Sequence, residues 1–170
     1  MRVCAGGRAW RALLRARRVP WAEKGTHMSY REIQLEAAVL ELMYPPPRTV
    51  AVLGWSDRPG RPSREVALAL SHWGYLVIPV NPQIPTTPAN AVYPTLRQVP
   101  GVIDIVDVFR RSEHVQQHLE DILLVRPRLL WLQDGVEDDV TAEAARRAGI
   151  LVVQDDCLAR RIAGLRAAHG

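Results

Sequence analysis

Gly54-Trp55-Ser56, followed closely by Arg58, Arg61, Ser63 and Arg64, is the segment whose residue types and spacing best suit chemistry with an anion. Glycine lets a backbone approach a ligand closely. A helix starting near Ser63 would add unpaired N–H groups and a positive dipole end. A phosphate is the natural occupant. The same residues also make an ordinary strand-to-helix loop with solvated arginines, and the loop alone leaves both readings open. Two nucleotide fingerprints fail against it. The dinucleotide pattern needs three glycines in six residues and an acid near the end of the second strand, whereas Gly54 and Gly60 lie too far apart and that strand ends in Asn81. A P-loop needs Gly-Lys-Ser or Gly-Lys-Thr, and Gly54 to Ser63 contains neither.

Other candidate groups are weaker. His114 and His118 have a spacing that can chelate zinc on a helix, but His-Val-Gln-Gln-His lacks the glutamate of a zinc protease and flanks the core positions Val115 and Leu119. No metal site is expected. Asp104 and Asp107 fall in an apolar strand, where a carboxylate needs hydrogen bonds, and neighbouring loop N–H groups are the expected donors for Asp107. Cys157 stands near a strand end, where disulfide exchange with a ligand thiol is conceivable, but no neighbouring Lys or His activates it. A structural thiol is expected.

The elements that must position these groups alternate along the chain. Ser29 is placed to cap a helix carrying Ile33, Ala37 and Leu40, which Pro45-Pro46-Pro47 ends. Thr49–Leu53 is a nearly all-apolar run suited to a strand covered on both faces. Ser63 is expected to cap a helix with Val66, Leu70 and Trp73 on one face, before a second strand over Tyr75–Val80. Asn81-Pro82 then opens a proline-rich crossing, Gln83 to Pro100, with at most a helical turn over Thr95–Val99. A third strand over Val102–Phe109 and a helix over Ser112–Val125 follow. Strands at Arg128–Leu132 and Ile150–Val153 flank a helix over Glu137–Ala148, and Leu158–Ala168 is the last helix. Such alternation predicts an α/β fold, a doubly wound five-stranded parallel sheet (Rossmann-like) with strand order 3-2-1-4-5. Its ligand crevice would lie at the carboxyl ends of the strands, beside strands one and four. Those ends read Gly54-Trp55-Ser56, Asn81-Pro82, Phe109-Arg110-Arg111, Gln133-Asp134-Gly135 and Asp155-Asp156-Cys157. Few are catalytic types.

Charge separates the chain into two parts. Residues 1–27 carry seven Arg or Lys and one Glu, a net of +6, and read as a basic leader, disordered or upstream of a true start at Met28. Residues 28–170 carry fifteen Arg or Lys against seventeen Asp or Glu, a net of −2, so this domain is not the basic body of a nucleic-acid binder. No apolar run approaches the roughly 20 residues that span a bilayer. The cysteines, Cys4 and Cys157, are too far apart and too few for a disulfide framework, which fits a cytoplasmic protein.

Six segments carry a family resemblance: Val-Ala-Val-Leu-Gly-Trp-Ser (50–56), Arg61-Pro62-Ser63, Val77-Ile78-Pro79-Val80-Asn81-Pro82, Val106-Asp107-Val108-Phe109-Arg110-Arg111, Leu130-Trp131-Leu132-Gln133-x-Gly135 and Asp156-Cys157-Leu158. Together, over about residues 45–160, they resemble the stand-alone CoA-binding proteins related to the N-terminal domain of the succinyl-CoA synthetase α subunit. The resemblance implies coenzyme A or an acyl-CoA as the bound ligand. Gly54, Trp55, Ser56 and Ser63 would follow the pyrophosphate and pantetheine, with Arg61 beside them. Asn81 and Pro82 would border the adenosine, and Phe109, Arg110 and Gln133 would form the opposite wall. Trp55 departs from the smaller residue common there; its indole either stacks on a ligand or covers the loop. The synthetase reaction needs a second domain with a phosphorylated histidine, which nothing after Ala168 supplies. The expectation is a non-catalytic binding module. The alternatives are an NAD(P)-binding oxidoreductase or redox sensor, and a structural partner domain with no ligand.

Overall fold

The computed structural model describes residues 30–43, 48–88 and 90–169. The leader expected over residues 1–27, the Ser29 cap and the proline stop after the first helix lie outside them. Contacts divide the chain between Gln34 and Leu35. The unit from Leu35 onward carries the sheet; of the unit before it, Tyr30 to Gln34 are described, as the opening of helix α1 (Tyr30–Met43).

The valine-rich and leucine-rich runs form the five strands: β1 (Thr49–Leu53), β2 (Leu76–Val80), β3 (Ile105–Val108), β4 (Leu129–Leu132) and β5 (Leu151–Val153). All pair in parallel. Side chains alternate between the two faces. Ala51, Leu53, Val106, Val108, Leu130 and Leu132 enter one buried cluster with Ile122 and Ala145. Val50, Val52, Ile105, Leu129 and Trp131 enter the other. Helices α3 (Leu119–Val125) and α4 (Asp139–Arg147) cover the first face. The second is covered by α1, α2 (Pro62–His72) and α5 (Leu158–His169) through Leu42, Leu70 and Ile162. This is the doubly wound Rossmann-like α/β fold.

The strand order is β2-β1-β3-β4-β5, not the expected 3-2-1-4-5. The third strand lies beside the first, and β2 is an edge. Pro79 explains why: it has no N–H for a second ladder, so β2 suits an edge and not the interior. On its outer side Pro79 offers only its carbonyl, which accepts from the Tyr93 N–H at 3.0 Å. Leu76 is 61% exposed, whereas every residue of β3 is buried. The reversal of strand order, and with it the ligand crevice, therefore falls between β1 and β3 and not beside strands one and four.

Two helix starts also differ from expectation. Ser63 does not cap α2; Arg61 is the N-cap residue, without a side-chain cap bond, and Pro62 takes the first helical position, where its missing N–H costs nothing. Residues 112–118 form two 3-10 turns, Ser112–His114 and Gln116–His118, closed by bonds from Val115 N–H to Ser112 and from His118 N–H to Val115. The α ladder begins only at Leu119, because His118 sits at φ −99° and ψ 0°.

Helix α4 has a side-chain cap: Asp138 Oδ1 accepts the Thr141 N–H at 2.7 Å. Asp138→Ala is expected to lower stability by about 1 kcal/mol, read as a lower urea midpoint at constant slope. An unchanged midpoint would contradict the role of that cap.

Candidate functional site

At the crevice, β1 ends in Gly54 at φ +89°, a left-handed conformation natural to glycine. A Cβ there would stand 2.5 Å from the Phe109 carbonyl oxygen and 2.8 Å from Arg110 Cδ. Without one, the ends of β1 and β3 close tightly: Phe109 N–H donates to the Leu53 carbonyl at 2.8 Å, and Gly54 N–H to that of Val80 at 2.9 Å. The chain then opens into a cleft of about 1100 Å³.

Gly54, Trp55, Ser56, Arg61 and Ser63 form one wall of it. Ser63 is only 4% exposed and sits in the first turn of α2, whose N-terminus lacks a side-chain cap. Pro62 has no N–H, and the Arg64 and Glu65 N–H groups donate to the Arg61 carbonyl at 2.9 and 3.1 Å, so this end offers the cleft the Ser63 N–H and the positive end of the helix dipole. Arg58 joins the wall, as does Asp57, which no sequence motif marks. The Trp55 indole does not stand free in the cleft. It is 7% exposed and packs with Val66 and Ala67, covering the loop from below.

Asn81 ties this wall to the end of β2. Its Nδ2 donates to the Trp55 carbonyl at 2.7 Å, and its Oδ1 accepts the Gln83 N–H at 2.9 Å. The second bond is an Asx turn, and it folds Gln83, Ile84 and Pro85 onto the cleft. These three were not expected at the site. The Asn-Pro pair at a strand end was their signal. Pro82 shapes this turn but does not line the cleft.

Phe109, Arg110 and Gln133 form the opposite wall, joined by Arg111, Asp134, Gly135, Val136 and Cys157. Arg110 crosses above Gly54, and its Nε donates to His118 Nε2 at 3.3 Å. An arginine cannot accept, so His118 is the neutral partner; burial first, then the Arg110 charge, holds its imidazole below the ordinary range. His118 and His114, on separate 3-10 turns, are not a helical pair. Asp134 is neutralised at the rim by Arg160 through bonds of 2.9 and 2.7 Å. Cys157 is half-buried at the start of α5. Arg64, counted in sequence among the charges near the loop, borders a separate hollow of about 370 Å³ by β2.

Beneath the cleft lies Asp107, fully buried in β3 between Val52 of β1 and Trp131 of β4. Its partner is not a loop N–H: Oδ1 accepts from Gln133 Nε2 at 2.6 Å. Oδ2 has no partner among the described residues. Asp104, by contrast, accepts the Thr49 backbone N–H at 2.9 Å.

Burial pushes the Asp107 carboxyl up to about 7, with the Gln133 bond acting the other way. Between the ordinary carboxylate value near 4 and about 7, the folded chain keeps a proton that the unfolded chain has lost. Stability therefore falls as pH rises through that window. Asp107→Asn removes the effect. The stability of the variant relative to the parent should rise between about pH 4 and about pH 7, by on the order of 4 kcal/mol in all, and then level off. Urea unfolding across that range checks this; a difference independent of pH would contradict it.

Comparison with known proteins places the chain in a family. The family described as the CoA binding domain matches residues 48–162. The uncharacterized protein YneT of Bacillus subtilis is 36% identical over 111 residues, covering 65% of this chain and 82% of that protein. A solved structure from Thermus thermophilus, cell-free ID.343, is 33% identical with a TM-score of 0.66, covering 76% of this chain and 97% of its own. The dinucleotide-forming acetyl-coenzyme A synthetase 1 of Ca. Korarchaeum cryptofilum shares the fold, at 20% identity and a TM-score of 0.58 over 69% of this chain and 27% of that one. With residues 48–162 matched, and with the sheet and strand-end cleft just described, the chain belongs to the CoA-binding domain family.

Proposed function

We propose that the cleft between β1 and β3 binds coenzyme A or an acyl-CoA, and that the chain serves as a binding module without chemistry of its own. The observation that carries this reading is the meeting, in one cleft, of the uncapped N-terminus of α2 with Arg58, Arg61 and Arg110. Phosphates suit that end, since helix N–H groups and guanidinium forks both recognise phosphoryl oxygens. Across the cleft, Phe109, Val136 and Gln133 suit an apolar arm with polar amides. The acid and thiol on this wall are not joined as a nucleophile with its base: Asp134 is held by Arg160, and no hydrogen bond links it to Cys157 among the described residues. That supports binding over catalysis.

Among the described residues no helix is long and apolar enough to cross a membrane.

Calorimetry with CoA, NAD and AMP on the full chain tests the reading. CoA should bind at least about tenfold more tightly than the other two, which amounts to about 1.4 kcal/mol. Equal affinities, or preference for NAD, would overturn it. Ser63→Asp places a carboxylate in the first turn of α2, where it would sit among the ligand's phosphates, and should weaken CoA binding by about tenfold or more. Unchanged affinity would move the phosphates elsewhere.

A further inference from the structure

Asp107 is the one carboxylic acid among the buried described residues, and a residue of Asn or Val size would fill the same space without a buried charge. What a carboxylate has that these lack is directional: when ionised it accepts hydrogen bonds and cannot donate them. Val52 and Trp131 flank it in the sheet, and its hydrogen-bond partner is the Gln133 amide. Toward the ionised carboxylate that amide must turn its NH₂ end down, as it does here with Nε2 at 2.6 Å from Oδ1. Its other end, Oε1, is left for the cleft that Gln133 lines.

We propose that Asp107 is a positioning residue that fixes Gln133 as a hydrogen-bond acceptor toward the ligand, so that the site selects a ligand carrying an N–H or O–H at that point. This rests on the coenzyme A reading for the identity of the donor. The pantetheine arm supplies secondary amide N–H groups, and the adenine ring a primary amine. A ligand group that only accepts would face Oε1 lone pair to lone pair, with the cost of an unpaired buried polar group.

Asp107→Asn reverses the arrangement while nearly preserving shape. The unpartnered Oδ2 position tolerates an oxygen but would leave an amide NH₂ without an acceptor. The introduced side chain is therefore expected to donate its NH₂ to Gln133 Oε1, turning Nε2 of Gln133 toward the cleft. CoA affinity at about pH 8 should fall by about tenfold in D107N, and similarly in Gln133→Met. The double variant should be no weaker than Q133M alone, since Asp107 acts through Gln133. D107N binding as tightly as the parent would overturn the proposal. So would an equal D107N loss in the Q133M background, the mark of a merely structural role.

A second measurement needs no ligand. In ¹⁵N–¹H spectra at about pH 8 the Gln133 side-chain amide, assigned by its loss in Q133M, should exchange slowly and lie at low field in the parent, and should move in D107N. A fast-exchanging, unshifted amide in the parent overturns the positioning of Gln133. Failure of the parent to bind CoA, with the shifted amide present, overturns the coenzyme reading and leaves the positioning intact.

Discussion

The site depends on a missing side chain. Gly54 sits where β1 gives way to its loop, and any Cβ there would collide with the backbone of Phe109 at the end of β3. Because that space is open, β1 and β3 pair through their last residues, and Arg110 can cross over the glycine. Both consequences meet at the point where the strand order reverses. Substitution would add the cost of the left-handed conformation, roughly 1–2 kcal/mol for an ordinary residue, to the collision that pushes the two strand ends apart. Since backbone and not a flexible side chain lies opposite, relaxation there would disturb the cleft itself.

From that junction the walls follow by connection. The loop after Gly54 leads into α2, whose uncapped start is the electropositive end of the cleft. The chain after β3 supplies Phe109 and Arg110, and β4 supplies Gln133 at the matching height, its N–H bonded to the Val108 carbonyl at 3.3 Å. Parallel register thus brings residues far apart in sequence to one rim. Arg110 is held by His118 and Gln133 by Asp107, so both polar groups are oriented from outside the cleft before a ligand arrives. Preorganisation of this kind reduces the ordering that binding would otherwise require.

Much of this was legible in the chain. The apolar runs located all five strands, and their carboxyl ends gave Gly54, Asn81, Phe109, Arg110 and Gln133, which the fold brings together. The order of the strands differed from expectation, although Pro79 carried the information: a strand with a missing donor belongs at an edge. The segment Gln83–Pro85 was lost because its placement depends on one side chain, Asn81, bonding both forward and across to Trp55. The Trp55 indole could not be oriented from sequence, since stacking on a ligand and packing on Val66 require the same residue type. The link from Asp107 to Gln133 joins residues 26 apart through a register that no local pattern reveals. The 3-10 turns before α3 escaped for the opposite reason: Val115, Leu119 and Ile122 have helical spacing, and only the backbone at His118 interrupts it.

Where coenzyme A sits can be read from a crystal structure of the full chain grown with the coenzyme. The pyrophosphate is expected within hydrogen-bond reach of the first turn of α2 at Ser63, with the pantetheine arm passing between Gly54 and Gln133. A cleft empty at saturating coenzyme, or a ligand bound away from the junction of β1 and β3, would contradict it.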